Sequence, residues 1–125
     1  HMGELSAETL KYKGVKGYIV DGGCRDVDFI LKLGFPVFCK YFTPSDVVCR
    51  WKITSLGEPI KIGNLTIKSG DHVLGDIDGV VVIPQEIAQD VIKETEEYIN
   101  TESQLRKDIL SGVDPKEAYL KYRVF

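Results

Sequence analysis

Cysteine is scarce and unpatterned in this chain: Cys24, Cys39 and Cys49 are odd in number, and no two share a CxxC spacing. A disulfide framework and a zinc site are therefore not expected, and reduced thiols in a cytoplasmic setting fit better. No apolar run approaches the ~18 residues that a spanning helix needs, and no charged-then-apolar leader opens the chain, so no membrane partner is expected. Lys and Arg are interspersed with Asp and Glu for a net charge of −3. That balance gives no footprint for nucleic acid. Histidine is nearly absent. The leading His1-Met2 pair has the form of a cloning remnant, which leaves His72 as the one informative imidazole. Repeats, linkers and low-complexity segments are missing too. What remains is 125 residues with 43% apolar content, enough for a single domain, residues 1–125, around one core.

The order of elements is alternating. Leu5 to Tyr12 reads as a short helix closed by Lys13-Gly14. Gly17 to Val20 reads as a buried strand, Asp21-Gly22-Gly23 as a turn, and Arg25-Asp26 as the opening of a helix that carries Ile30, Leu31 and Leu33 up to Gly34. Pro36 to Tyr41 returns as a second strand, so the segment has the form of a parallel α/β crossover. From Trp51 to Pro84 the pattern becomes a β-rich layer punctuated by glycine, with a two-residue Gly63-Asn64 hairpin and a buried strand from Gly79 to Ile83. The remainder is helical. Val91, Thr95, Tyr98, Glu102, Leu105 and Ile109 recur on one face of a long helix that stops at Ser111-Gly112, and Asp114-Pro115 with Glu117 opens a last helix as N-cap, first helical position and capping box.

Two segments could carry chemistry. In Asp21-Gly-Gly-Cys-Arg-Asp26 a strand delivers Arg25 and Asp26 to a sheet edge, where open α/β sheets hold ligands. An Arg fork pairs bidentately with a carboxylate and an Asp binds a hard divalent cation, a combination suited to a metal-chelated 2-oxo acid. The plainer alternative is a surface Arg beside an Asp that merely caps its own helix. The second segment holds Asp71, Asp76 and Asp78; it lacks the closing Glu of a calcium loop, and turn residues between strands account for it better. His72 has no neighbours that would make it a catalyst or a phosphorylation site.

The run from Gly17 through Arg25-Asp26 to Val27, then Gly34 to Phe38, Gly70-Asp71 and Gly75 to Pro84, resembles the RraA-like family in content and order. Twenty residues separate Glu4 from Arg25, similar to that family's acidic-x20-Arg-Asp pattern. The resemblance implies an α/β fold of the swivelling β/β/α kind (phosphohistidine-domain-like), here N-terminally shortened, and assembly into trimers or hexamers. It also implies a divalent-metal-dependent lyase acting on a small 2-oxo acid, by retro-aldol cleavage of 4-hydroxy-2-oxo acids or by oxaloacetate decarboxylation. Arg25 would grip the substrate carboxylate and Asp26 would hold Mg²⁺ or Mn²⁺ with ordered waters. Backbone amides of Gly3, Glu4, Leu5 and Ser6 would bind anionic oxygens at a helix start, Glu4 would orient water, and Glu102 would be the acid supplied by a neighbouring copy. Phe29 stands where family aldolases often carry an acid. This departure suits the family's other implied role, a non-catalytic regulator that binds protein partners such as an RNA-degrading endonuclease.

Overall fold

The computed structural model describes residues 1–123, and the chain forms two compact units that divide after Val82. In the first unit, α1 (Glu4–Tyr12) precedes a crossover built from β1 (Tyr18–Cys24), α2 (Val27–Leu33) and β2 (Val37–Phe42). As expected, β1 and β2 pair in parallel, with Tyr18 opposite Val37 and Cys24 opposite Phe42. The core beneath them is small. Ala7, Cys24, Ile30 and Phe35 are buried together with Met2, and Leu10, Tyr18, Val27 and Val37 pack against them. Met2 is thus integral to this unit: its N–H donates to the Gly23 carbonyl and its carbonyl accepts from Arg25 N–H, forming a bridge alongside β1.

One expected turn is absent. Asp21-Gly22-Gly23 continues β1 rather than ending it, with an irregularity of register between Val20 and Gly23. A Cβ on Gly23 would lie 2.7 Å from Tyr41 Cε2 and 2.8 Å from Thr43 Cγ2. Glycine there admits the close approach of β2 and the loop after it, so its presence reports packing and not chain reversal.

The β-rich layer is sparser than its pattern suggests. Residues 51–59 contain no strand; β3 (Ile60–Ile62) and β4 (Leu65–Ile67) form the expected antiparallel hairpin, and Gly63 supplies the positive φ of 59° at its turn. β5 (His72–Gly75) pairs with β6 (Val80–Ile83). The buried strand expected from Gly79 to Ile83 is only half-buried, with Val81 exposed. A two-stranded sheet cannot cover both of its faces, so an all-apolar strand leaves alternate side chains outside.

The second unit consists of a 3₁₀ turn (Gln85–Ile87), α3 (Ala88–Leu110) and α4 (Pro115–Tyr122). Asp114 caps α4 as expected, accepting from the N–H groups of Lys116 (2.9 Å) and Glu117 (3.2 Å), with Pro115 in the first turn. Asp108 of α3 ties the two helices together, accepting from Lys121 Nζ at 2.8 Å and Tyr122 OH at 2.9 Å.

Candidate functional site

Parallel pairing puts the ends of β1 and β2 at the same edge, so the residues that follow each strand become neighbours. Arg25 and Asp26 follow β1, and the loop from Thr43 onward follows β2. The first turn of α1 closes the third side. Together they line a cavity of about 370 Å³ whose walls include Gly3 to Ser6, Arg25, Asp26, Thr43 and Trp51. The structure therefore brings six expected residues, Gly3, Glu4, Leu5, Ser6, Arg25 and Asp26, around one space.

The Asp26 side chain does not cap its own helix. The residue occupies the position before α2 with φ 55° and ψ 37°, a left-handed conformation that Asp tolerates better than most residues, and its side chain makes no capping bond to α2. Its Oδ2 instead accepts from Glu4 N–H at 3.1 Å, at the start of α1. That geometry removes the plainer reading of the residue: the carboxylate is turned across the cavity, toward the positive end of a different helix. Oδ2 also lies 3.4 Å from Arg25 Nε.

The start of α1 has room for an anion. Gly3, at its N-cap, offers no side-chain acceptor, and Ala7 N–H is the first amide to bond back into the helix. Glu4 N–H is taken by Asp26; Leu5 and Ser6 also line the cavity, and their amides, in the first turn, have no acceptor among the described residues. Gly3 is required by space. A Cβ there would lie 2.9 Å from Arg25 Nε and 3.0 Å from Asp26 Oδ2, closer than side chains pack without displacement.

A residue that the spacing did not single out completes the pair. Asp46 Oδ2 accepts from Arg25 Nη1 at 2.5 Å, and its Oδ1 accepts from the N–H groups of Val47 and Val48. The Arg25 guanidinium, followed by the Val48 amide, lowers the Asp46 carboxyl from its ordinary 3.8 to about 2, and Asp46 in turn raises Arg25. No motif or spacing marks Asp46 within Thr43-Pro44-Ser45-Asp46. The available signal was indirect: in a parallel crossover the loop after the second strand must lie beside the loop after the first.

The donor set suits a hard, water-rich cation. Asp26 Oδ1 carries no hydrogen bond or ion pair among the described residues, and those residues include no cluster of three His, Cys, Asp or Glu side chains able to enclose a metal ion. One carboxylate with water completing the shell is how Mg²⁺ is commonly held, whereas zinc and calcium sites draw more ligands from the protein.

Glu102 belongs to the second unit, on α3, where its Oε1 lies 2.7 Å from Arg106 Nη2. The stripe that carries it is not a buried face: Val91 and Leu105 are half-buried, but Tyr98 is 59% exposed and Glu102 itself is exposed. An i,i+4 ion pair on a solvated face accounts for this carboxylate within a single chain. Asp76 and Asp71 are turn residues as expected. Asp76 Oδ1 accepts from Asp78 N–H, and Asp71 Oδ2 from Lys68 N–H. His72 is exposed on β5. All three cysteines are free, and burial, then the neighbouring Cys39, pushes the Cys24 thiol up, away from the thiolate form that reacts.

Similarity to known proteins extends over most of this chain. An uncharacterized protein of Methanocaldococcus jannaschii is 33% identical over 92% of this chain and 55% of its own length. A Halalkalibacterium halodurans protein named "Putative 4-hydroxy-4-methyl-2-oxoglutarate aldolase" is 31% identical over 95% of this chain and 56% of its own length. The chain thus spans about half the length of these curated relatives. Among solved structures, an uncharacterized protein from Pseudomonas syringae pv. tomato superposes with a TM-score of 0.92 at 27% identity, covering 98% of this chain and 57% of that one. Another, described as novel cellulases from microbes associated with the gut ecosystem, gives 0.79 at 45% identity, covering 83% and 47%. The sequence pattern of the RraA-like family, described as Aldolase/RraA, matches residues 1–82, the unit that holds the cavity. The chain, a mixed α/β protein with small sheets, belongs to the RraA-like family.

Proposed function

We propose that this chain carries the site of a divalent-metal-dependent lyase that breaks a carbon–carbon bond beside a 2-oxo acid. The reaction is retro-aldol cleavage of a 4-hydroxy-2-oxo acid, decarboxylation of oxaloacetate, or both. The observation that carries the reading is the turning of Asp26 away from its own helix, into a cavity that it shares with Arg25 and the open amides of Leu5 and Ser6. A cap or a surface ion pair needs none of that geometry.

Each residue has a role that follows from its chemistry. Arg25 is permanently charged and holds the substrate carboxylate through its planar fork. The amides of Leu5 and Ser6 are donors fixed by the helix, so they stabilise negative charge on the 2-oxo acid without reorganising as it forms. Glu4 lines the same cavity, and its carboxylate would orient a water there. Asp26 would hold Mg²⁺ or Mn²⁺, and the ion would supply Lewis-acid chemistry to the 2-oxo acid. The aldolase name borne by the Halalkalibacterium halodurans relative supports this reading. We place the site within a swivelling β/β/α fold in a cytoplasmic homo-oligomer, with Glu102 of a neighbouring copy as a further acid.

The test is turnover of oxaloacetate and of 4-hydroxy-2-oxo acids with Mg²⁺, with Mn²⁺ and with EDTA. Activity is expected to require the metal and to vanish in Asp26→Ala. Arg25→Lys is expected to raise KM about tenfold or more, because the bidentate fork is lost. A folded protein without turnover under any of these conditions would withdraw the lyase and leave the partner-binding regulator.

A further inference from the structure

We propose that Asp46 is a positioning residue that holds the Arg25 guanidinium off Asp26 and so keeps the Asp26 carboxylate available for a cation. This inference rests on the assignment of Asp26 as the metal-binding carboxylate. Arg25 stands between two acids. Its Nη1 makes a close, direct bond with Asp46, while its Nε remains 3.4 Å from Asp26 Oδ2, an ion-pair distance without a hydrogen bond. Arg25 and Asp26 line the cavity but Asp46 does not, so Asp46 reaches the site only through the guanidinium. Without that anchor, the nearest carboxylate for Arg25 is Asp26, whose Oδ1 is otherwise uncommitted among the described residues. A bidentate Arg–carboxylate pair would then occupy the oxygens that a cation requires.

Asp46 is itself fixed by the loop it belongs to. Its Oδ1 accepts from Val47 N–H at 2.5 Å and from Val48 N–H at 2.9 Å, so one carboxylate oxygen is tied to the backbone and the other is aimed at Arg25. The Arg25–Asp46 pair is solvent-exposed, with side-chain exposures of 38% and 53%. Exposed pairs add little to stability. The consequence of this one is therefore geometric, and its loss should appear in cation binding without a matching loss of fold.

The experiment is Mn²⁺ binding, followed by the electron paramagnetic resonance of the free ion, in a double-mutant cycle of Asp46→Asn and Arg25→Ala. Asn keeps an oxygen for the Val47 and Val48 amides but loses the charge that anchors Arg25. Asp46→Asn is expected to weaken Mn²⁺ binding about tenfold in the parent and to have no effect in the Arg25→Ala background, with unchanged thermal melting throughout. Asp26→Ala is expected to abolish binding. Equal weakening by Asp46→Asn in both backgrounds would make Asp46 a distant negative charge and nothing more, overturning the proposal. So would no weakening in either background, while the Asp26 site itself would stand. Parent protein that binds no Mn²⁺, or binds it equally after Asp26→Ala, would remove the metal reading and this inference together.

Discussion

Gly3 sits where a methyl group would touch both functional side chains, 2.9 Å from Arg25 Nε and 3.0 Å from Asp26 Oδ2. Its backbone, at φ −143°, is open to any residue, so the demand is purely spatial. Gly3→Ala is therefore expected to fold and melt like the parent, yet to lower kcat/KM by about ten- to a hundredfold, because small misplacements of catalytic groups are costly. Parent-like kinetics would show that Arg25 can shift freely. The same guanidinium sets the titration of Asp46. Lowered from 3.8 to about 2, this carboxyl keeps its charge well into acid; the pair is exposed, so the little stability it adds is present above the ordinary value and is lost as the pH falls through 2. Carboxyl NMR is expected to place its midpoint near 2, and to return it toward the ordinary carboxylate range in Arg25→Ala. An unchanged midpoint in that variant would mean the loop amides, and not Arg25, hold the charge.

Elements whose causes are local were legible before the structure. Asp114, Pro115 and Glu117 announce α4 by type and position, and Asp114 does accept from two amides of its first turn. Asp114→Ala is expected to cost about 1 kcal/mol of stability and to speed amide exchange in α4 before α3, measured by hydrogen exchange. The α3–α4 contact depends on charge as well. Lys121, then Tyr122, hold the Asp108 carboxyl below its ordinary value, so this tie is present at neutral pH and is lost on acidification below the usual carboxylate range. What could not be read were features that depend on a second segment. Asp21-Gly22-Gly23 has the composition of a turn, but only the approach of Tyr41 and Thr43 explains why glycine lies in a strand there. Asp26 has the composition of a cap, and only the start of α1 draws its carboxylate elsewhere. Asp46 carries no pattern of its own. Glu102 is a different case: spacing put it on an apolar stripe, and periodicity does not reveal what covers that stripe.

Across the whole molecule, apolar side chains outnumber the positions that bury them. Seven apolar side chains are buried among the described residues, none of them larger than Phe35. Trp51, Ile53, Leu56, Leu65, Leu74 and Ile77 are all at least half exposed, and all lie in the first unit between the cavity loop and β6. Isolated exposed leucines are ordinary, but a concentration of large apolar groups within one stretch is a feature of surfaces that meet another molecule. A second copy of this chain is the occupant that the family resemblance implies. Sedimentation velocity on the 14.0 kDa chain is therefore expected to give a discrete species at three or six times that mass. Ile53→Asp with Leu56→Asp, placed where no strand or helix depends on them, is expected to shift that species to monomer while far-ultraviolet circular dichroism stays unchanged. Retention of the oligomer in that variant would move the contact elsewhere on the chain. A parent that sediments as a monomer at every concentration would mean that copies of this chain do not cover these side chains, and that Glu102 is not supplied from one copy to the next.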